Sequence, residues 1–484
     1  MKKLTSVLKC CAFLSLLFLG WLGLGWRPAD ALPISQSLGQ THLSHDQQQL
    51  ISRANRHDRD GWIYLRLEGS PRELGFQHGY LLAREIDRSL TTTRKEWEYS
   101  SGMDWSWLVQ KGNEMFLQRI DSSLVAELDG IVDGLAAAGM KSDRAEMIAY
   151  NGIIELGKYW WPGVKDSLKL RSPDRPKQSC SSFIATGSMT QDGGIVLGHN
   201  TMTSYVGADC NIIIDLLPRT GHHILMQASP GWIHSGTDFF ITDAGLIGSE
   251  TTIGGFSGFD ERGVPEFVRM RQATQEASSI DEWCDIMRTG NNGGYANAWL
   301  IGDTKTNEIA RLELGLKYVG LERTLDGYYV SSNIAENVKI LRHETNSKET
   351  DIRNSDVARR VRWKQLMKEH RGRITATLAM RFEGDHYDTF LKQERLGSRS
   401  LCAHWEYDST DAEEVPFDPS GTVDAKVVDS GMAKRMAFSA RWGSGCGTAF
   451  NATIFLQNHP QFDWMTDILA SRASYPWTEF RAGE

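Results

Sequence analysis

A charged, proline-containing stretch at residues 165–178 ends at the dipeptide Ser179-Cys180, and a strand-like run, Ser181-Ser-Phe-Ile-Ala-Thr-Gly187, begins there. A solvated segment therefore stops at a cysteine, and a sheet starts at that same cysteine. Scission of the bond between Ser179 and Cys180 would leave Cys180 with both a thiol and a free α-amine. An α-amine titrates near ~7.7–8.0 and a free thiol near ~8.5, so the amine can serve as the base for its own side chain. This is the chemistry of an N-terminal nucleophile, and it requires a fold that presents the first residue of a strand to a cleft.

The residues after the junction carry a family resemblance. Cys180-Ser-Ser-Phe-Ile-Ala-Thr-Gly-Ser-Met-Thr-Gln-Asp-Gly-Gly-Ile-Val-Leu-Gly-His-Asn-Thr201 resembles the nucleophile hairpin of the phospholipase B-like proteins, relatives of the penicillin acyltransferase group of self-cleaving hydrolases. Glu73-Leu-Gly-Phe-Gln-His-Gly79, Gly248-Ser-Glu-Thr-Thr-Ile253, Ala296-Asn-Ala-Trp-Leu-Ile-Gly-Asp303, Gly421-Thr-Val-Asp-Ala-Lys-Val-Val-Asp429 and Ala440-Arg-Trp-Gly-Ser-Gly-Cys-Gly447 are similar too, and they occur in family order. The resemblance implies an N-terminal-nucleophile (Ntn) hydrolase. It also implies self-cleavage, in which the thiol attacks the Ser179 carbonyl and water resolves the thioester. The implied substrate is an acyl amide or a carboxylic ester. Transfer of the acyl group to an amine, or an uncut and inert ligand-binding protein, are the alternatives left open.

Lys2-Lys3, an apolar run from Cys10 to Trp26 and Ala29-Asp-Ala31 have the form of an export leader. The small residues at the expected place favour cleavage after Ala31 over a retained anchor, so the mature protein is expected to be exported. Of the seven cysteines, Cys10 and Cys11 fall in the leader, which leaves Cys180, Cys210, Cys284, Cys402 and Cys446. An odd number in an oxidising compartment leaves at least one thiol free, and a catalytic Cys180 supplies it. Spacing does not say which of the others pair. They show no CxxC or His-rich clustering, so neither a metal nor any other cofactor is expected. The net charge of −8 is spread along the chain without a basic run, which argues against a nucleic-acid partner. The expected partners are a small acyl-amide or lipid substrate and the chain's own cleaved N-terminal part.

Four regions follow: a leader at 1–31, a polar and poorly ordered lead-in at 32–60, a mostly helical chain at 61–179 ending in an exposed processing loop, and the nucleophile-bearing chain at 180–484. Ser70-Pro-Arg-Glu73 predicts a capped helix start, and apolar spacing predicts helices over Ser122–Leu135 and Ser142–Leu156. Beyond Cys180 come short apolar runs broken by turns such as Asp192-Gly-Gly194 and Asp243-Ala-Gly245, then helices near Pro265–Ala277, Ile280–Arg288 and Asp356–His370. Strands, helices and strands in that order predict an α+β fold in which two stacked antiparallel sheets lie between helical layers, an αββα sandwich.

Around Cys180 five side chains are candidates for the site. His199 and Asn200 end the return strand of a hairpin that turns at Asp192-Gly-Gly194, which brings them back beside the thiol. Asn297, before the strand-like Ala298-Trp-Leu-Ile301, is the candidate oxyanion donor. Glu250 is an acid set between Ile247 and Ile253, expected to face the cleft or to pair with a buried arginine, Arg441 or Arg435. Tyr159-Trp-Trp161 and Trp232 fit core packing better than an acyl cleft. Gly254-Gly-Phe-Ser-Gly258 lacks the strand–helix context of a phosphate loop.

Overall fold

The computed structural model describes residues 43–170, 180–207, 211–236, 238–409 and 415–484. The leader, Ser179 and Cys210 lie outside the described residues. No helix among the described residues is long and apolar enough to cross a membrane.

Two sheets stack face to face. The larger has nine strands in the order β1 (Asn55–Arg59), β2 (Trp62–Gly69), β5 (Ile212–Pro218), β6 (Ile224–Ala228), β7 (Phe239–Thr242), β8 (Leu246–Thr252), β9 (Asn297–Asp303), β10 (Glu308–Leu314) and β11 (Val319–Thr324). The smaller has six: β12 (Gly327–Ser331), β3 (Ser181–Thr186), β4 (Val196–Ser204), β15 (Ser420–Asp429), β16 (Ala437–Trp442) and β17 (Thr478–Arg481). A separate ribbon pairs β13 (Tyr387–Asp388) with β14 (Gln393–Glu394). All pairings are antiparallel except β2 with β5, which run parallel because the chain returns to the sheet only after a long helical excursion.

Helices Pro71–Leu81, Glu266–Glu276 and Ile280–Arg288 cover the outer face of the nine-stranded sheet, and Ser355–Glu369 and Ala376–Phe382 cover that of the six-stranded one. This is the αββα sandwich expected from the order of elements. Trp62, Ile184, Leu197, Ile213, Leu225, Ile247 and Phe438 build the core between the sheets. Phe183, Val196, Trp363, Met367 and Phe382 build a second core under the outer helices. Strand alternation sorts these residues: Ile184 points inward, while Phe183 and Ala185 point outward.

Ordered structure begins before Gly61, contrary to the expected lead-in. A Ser44/Gln47 capping box starts the helix His45–Ser52, and the polar β1 adds to β2 as an edge strand. Arg56, which pairs with Glu85, keeps that edge charged. The motif Glu73–Gly79 also has a packing role. A Cβ on Gly75 would stand 1.9 Å from the Glu127 carbonyl oxygen, and one on Gly79 would stand 2.1 Å from that of Ile131, so these glycines let helix Pro71–Leu81 seat on Ser122–Ala137. The same helix pair meets the sandwich through a buried ion pair, Arg271 to Glu127, at 2.8 and 2.9 Å.

Candidate active site

Cys180 stands immediately before β3, whose neighbours are β4 and β12. Ser181 faces Asn200 and Ser182 faces His199 across the β3–β4 hairpin. The residue is 4 % exposed. Burial pushes its thiol up to about 12; Asp238 adds to that rise, and a hydrogen bond from the Met202 amide and the charge of Lys426 oppose it.

The pairing separates the two residues expected beside the thiol. His199 points between the sheets, where its Nε2 lies 2.8 Å from the Glu250 carbonyl oxygen. A carbonyl only accepts, so Nε2 carries the proton. Nδ1 is then a buried lone pair with no hydrogen-bond partner among the described residues. Burial and Lys426 hold this imidazole well below its ordinary range, and it is neutral. Asn200 is corrected by its register. It shares the outward face with Ser181, whose Oγ accepts from Trp363 Nε1, and its own Nδ2 donates to the carbonyls of Glu383 and Leu401 at 2.9 and 2.8 Å. It anchors the back of the β3–β4 hairpin.

Asn297 opens β9 opposite Thr252, and Glu250 pairs with Trp299 two residues along, so Asn297 and Glu250 share one face of the nine-stranded sheet. Asn297 is fully buried, yet neither atom of its side-chain amide has a hydrogen-bond partner among the described residues, and the Glu250 carboxyl is buried against Asp238 and Tyr295. Unmatched buried polar groups are uncommon in folded proteins. Burial, with the neighbouring Asp238 charge, raises Glu250 well above the carboxylate range, and burial raises Asp238 as well. Tyr295 donates to Asp238 Oδ2 at 2.7 Å.

Neither expected arginine meets Glu250. Arg441 donates to the carbonyls of Tyr475 and Gly445, and Arg435 pairs with Glu479 at the surface. Both sit on the far side of the six-stranded sheet, at β16 and its approach.

The buried guanidinium at the site is that of Arg359. Its Nη1 donates to the Cys180 carbonyl at 3.0 Å and its Nη2 to Asn333 Oδ1 at 2.8 Å; Asn333 Nδ2 in turn donates to the Thr252 carbonyl at 2.7 Å. Three hydrogen bonds thus connect the backbone of Cys180 to the residue paired with Asn297. Asp238, Tyr295 and Asn333 all have left-handed backbones, with φ of 67°, 53° and 74°. Such conformations cost of order 1–3 kcal/mol each and persist where surrounding structure enforces them.

Beneath this, Lys426 contacts Thr201, Gln227 and Asp424, and Gln227 donates to Asp424, forming a polar island between the sheets. Trp160 and Trp161 are buried in aromatic packing with Trp107 and Trp97, Tyr159 packs against Phe256 and Tyr295, and Trp232 stacks on His234.

A family model described as phospholipase B matches residues 86–340, just over half of the chain and spanning Cys180, Glu250 and Asn297. The chain belongs to the phospholipase B family. It is 26% identical over 265 residues to an uncharacterized protein of Archaeoglobus fulgidus, covering 51% of this chain and 42% of that one. It is 26% identical over 276 residues to a phospholipase B of Crotalus adamanteus, covering 52% and 47%. It is 36% identical over 149 residues to a putative phospholipase B-like 2 of Rattus norvegicus, covering 26% and 24%. The chain thus matches less than half the length of these curated relatives. Among solved structures, a mutant conjugated bile acid hydrolase of Clostridium perfringens aligns at 10% identity and a TM-score of 0.32, over 54% of this chain and 89% of that one. The assignment of this phospholipase B family member to the αββα class rests on its own two sheets.

Proposed function

We propose that this phospholipase B family member is an exported, self-processing hydrolase. It severs its own Ser179–Cys180 bond and then cleaves a linear amide or carboxylic ester of an acyl substrate through Cys180. The observation that carries this reading is the position of Cys180: a buried cysteine heading a central strand, its carbonyl clamped by a buried arginine that is linked through Asn333 to the strand pair carrying Asn297 and Glu250. The ester half of the proposal also accords with the name of the Crotalus relative.

The acid–base chemistry follows from the environment. Burial raises the Cys180 thiol in the uncut chain, so attack calls for a base that removes its proton. The base must act during attack. His199 is held neutral and far down its range, which makes it a poor base. An α-amine released at Cys180 titrates near ~7.7–8.0 and fits the task. It takes the thiol proton as sulfur adds to the substrate carbonyl and returns a proton to the leaving amine or alcohol. Water then resolves the thioester. Asn297 Nδ2 donates to the oxyanion of both tetrahedral intermediates. Arg359 acts on Cys180 itself as a positioning residue.

The test is Cys180→Ala. It should run as one uncut band on a denaturing gel, remain folded and show no turnover, whereas the larger wild-type chain should begin Cys-Ser-Ser-Phe. A different N-terminus in active protein, or activity retained by the alanine variant, would overturn the mechanism.

A further inference from the structure

Some distance along the chain from the nucleophile, the fold assembles a group that sequence spacing concealed. His386 follows the helix Ala376–Phe382, Cys402 and His404 flank Ala403, and Cys446 follows β16. One potential ligand atom from each of these four lies within 4.8 Å of all the others. Cys402 and His404 are fully buried, and His386 and Cys446 partly so. We infer that these four side chains form a closed, tetrahedral site for a thiophilic divalent cation of the zinc class, which clips three loops together behind the nucleophile strand.

The geometry supports the assignment in three ways. His404 Nε2 lies 3.6 Å from Cys402 Sγ and 3.5 Å from Cys446 Sγ. Tetrahedral zinc, with metal–sulfur bonds near ~2.3 Å and metal–nitrogen bonds near ~2.0–2.1 Å, requires a sulfur-to-nitrogen edge of about 3.6 Å. The fourth candidate, His386 Nε2, is buried without a hydrogen-bond partner among the described residues. Next, the surroundings are those of ligands. His404 Nδ1 lies 3.0 Å from Glu406 Oε1, and Tyr205 holds the other oxygen of Glu406 at 2.9 Å; a carboxylate behind a histidine fixes which nitrogen faces a metal.

Last, backbone amides point at the sulfurs: Cys446 N to Cys402 Sγ at 3.4 Å and Thr448 N to Cys446 Sγ at 3.3 Å. Such donors suit thiolates better than thiols. A disulfide between Cys402 and Cys446 would use the sulfurs but leave both histidines without a purpose. Two neutral imidazoles and two thiolates, with no open position, make a structural site, and binding would release the two thiol protons.

The site sits next to the anchor of the nucleophile strand. Leu401, whose carbonyl accepts from Asn200, adjoins Cys402, and Glu383, the other acceptor, lies three residues before His386. The cation would therefore pin both loops that hold Asn200.

Metal analysis of the full chain, purified without chelator, tests the proposal. About one equivalent of zinc per chain is expected. It should fall at least tenfold in His386→Ala and Cys446→Ser, chosen because both positions are partly exposed and the chain should still fold, and should be unchanged in Cys284→Ser. Chelator-stripped, reduced protein given Co²⁺ should develop thiolate-to-cobalt absorption that Cys446→Ser lacks, and stripping should lower the melting temperature. Two results would overturn the assignment: cobalt and zinc uptake no greater than in the two ligand variants, or a Cys402–Cys446 disulfide found by peptide mapping of the unreduced protein.

Discussion

Arg359→Met isolates the clamp on Cys180, because methionine keeps the aliphatic stem and removes the donors. The guanidinium is fully buried and donates to the Cys180 carbonyl, Asn333 Oδ1, Asp356 Oδ1 and Ser355 Oγ, at 3.0, 2.8, 2.7 and 3.2 Å. The Asp356 side chain is 23% exposed and can recruit water, so its loss counts for little. Cys180 O and Asn333 Oδ1 cannot do so, and each buried acceptor left unmatched costs about 1–3 kcal/mol. The sum is about 4 kcal/mol, within the ~3–5 kcal/mol seen when one partner of a buried charged contact is removed. An unfolding entropy of roughly 2.1 cal/mol/K per residue over the ordered chain converts this to a fall of about 4 °C in Tm. The melt belongs in a Cys180→Ala background, where processing cannot alter the sample. With Cys180 intact, a gel time course should show self-cleavage slowed at least tenfold. Arg359→Lys should recover little of either, since a single ammonium nitrogen lacks the planar spread of donors by which the guanidinium reaches both acceptors. A Tm within about 1 °C of the parent together with wild-type cleavage would refute the clamp.

Asn297→Ala should lower kcat and kcat/KM together by on the order of 10²–10³-fold with KM little changed, assayed per titrated active thiol; turnover near wild type would remove it from the mechanism. Glu250→Gln should change how stability depends on pH. Burial, aided by Asp238, raises the folded-state pKa of Glu250, so the folded protein holds a proton that the unfolded chain gives up above about pH 4.5, and stability falls as pH rises through that window. The permanently neutral glutamine lacks that loss, so calorimetry should find a Tm gap that widens in favour of the variant as pH rises above about 5; parallel curves would contradict the assigned shift.

What the sequence disclosed about this site was local. The turn at Asp192-Gly-Gly194 and the apolar runs on either side were enough to foresee the β3–β4 hairpin and the position of Cys180 at its head. The same alternation, counted from Cys180, already assigns Asn200 to the outer face, since it pairs with Ser181 and not with the nucleophile. Arg359 was hidden in a helix whose many arginines and lysines suggest a solvated face. Yet it precedes Trp363 by four residues and so belongs to the stripe that continues through Leu366 and Met367 into the core. An arginine on an apolar stripe was the available signal. Asp238 and Asn333 had no such signal, because residues far apart in the chain meet only once both sheets are stacked; of the four clustered side chains only the Cys402-Ala-His404 pair is adjacent in sequence, and the other two join it through the fold. The arginines nominated for Glu250 failed for the same reason: nearness along the C-terminal sequence says nothing about which face of β16 they occupy.

The parallel pairing of β2 with β5 ties together the two sides of the junction before Cys180. From Ile63 opposite Ile212 to Gly69 opposite Pro218, strands that precede and follow the junction share one hydrogen-bonded ladder. Trp62 and Tyr64 sit in the inter-sheet core, and Glu127 reaches Arg271. A backbone cut before Cys180 removes none of these contacts, but it changes what unfolding means. The intact chain melts in a unimolecular step whose midpoint is independent of concentration. The cut protein would melt by dissociation into two chains, so its midpoint should climb as the protein is concentrated. Dilution, harmless to the precursor, would become a way to unfold the mature form.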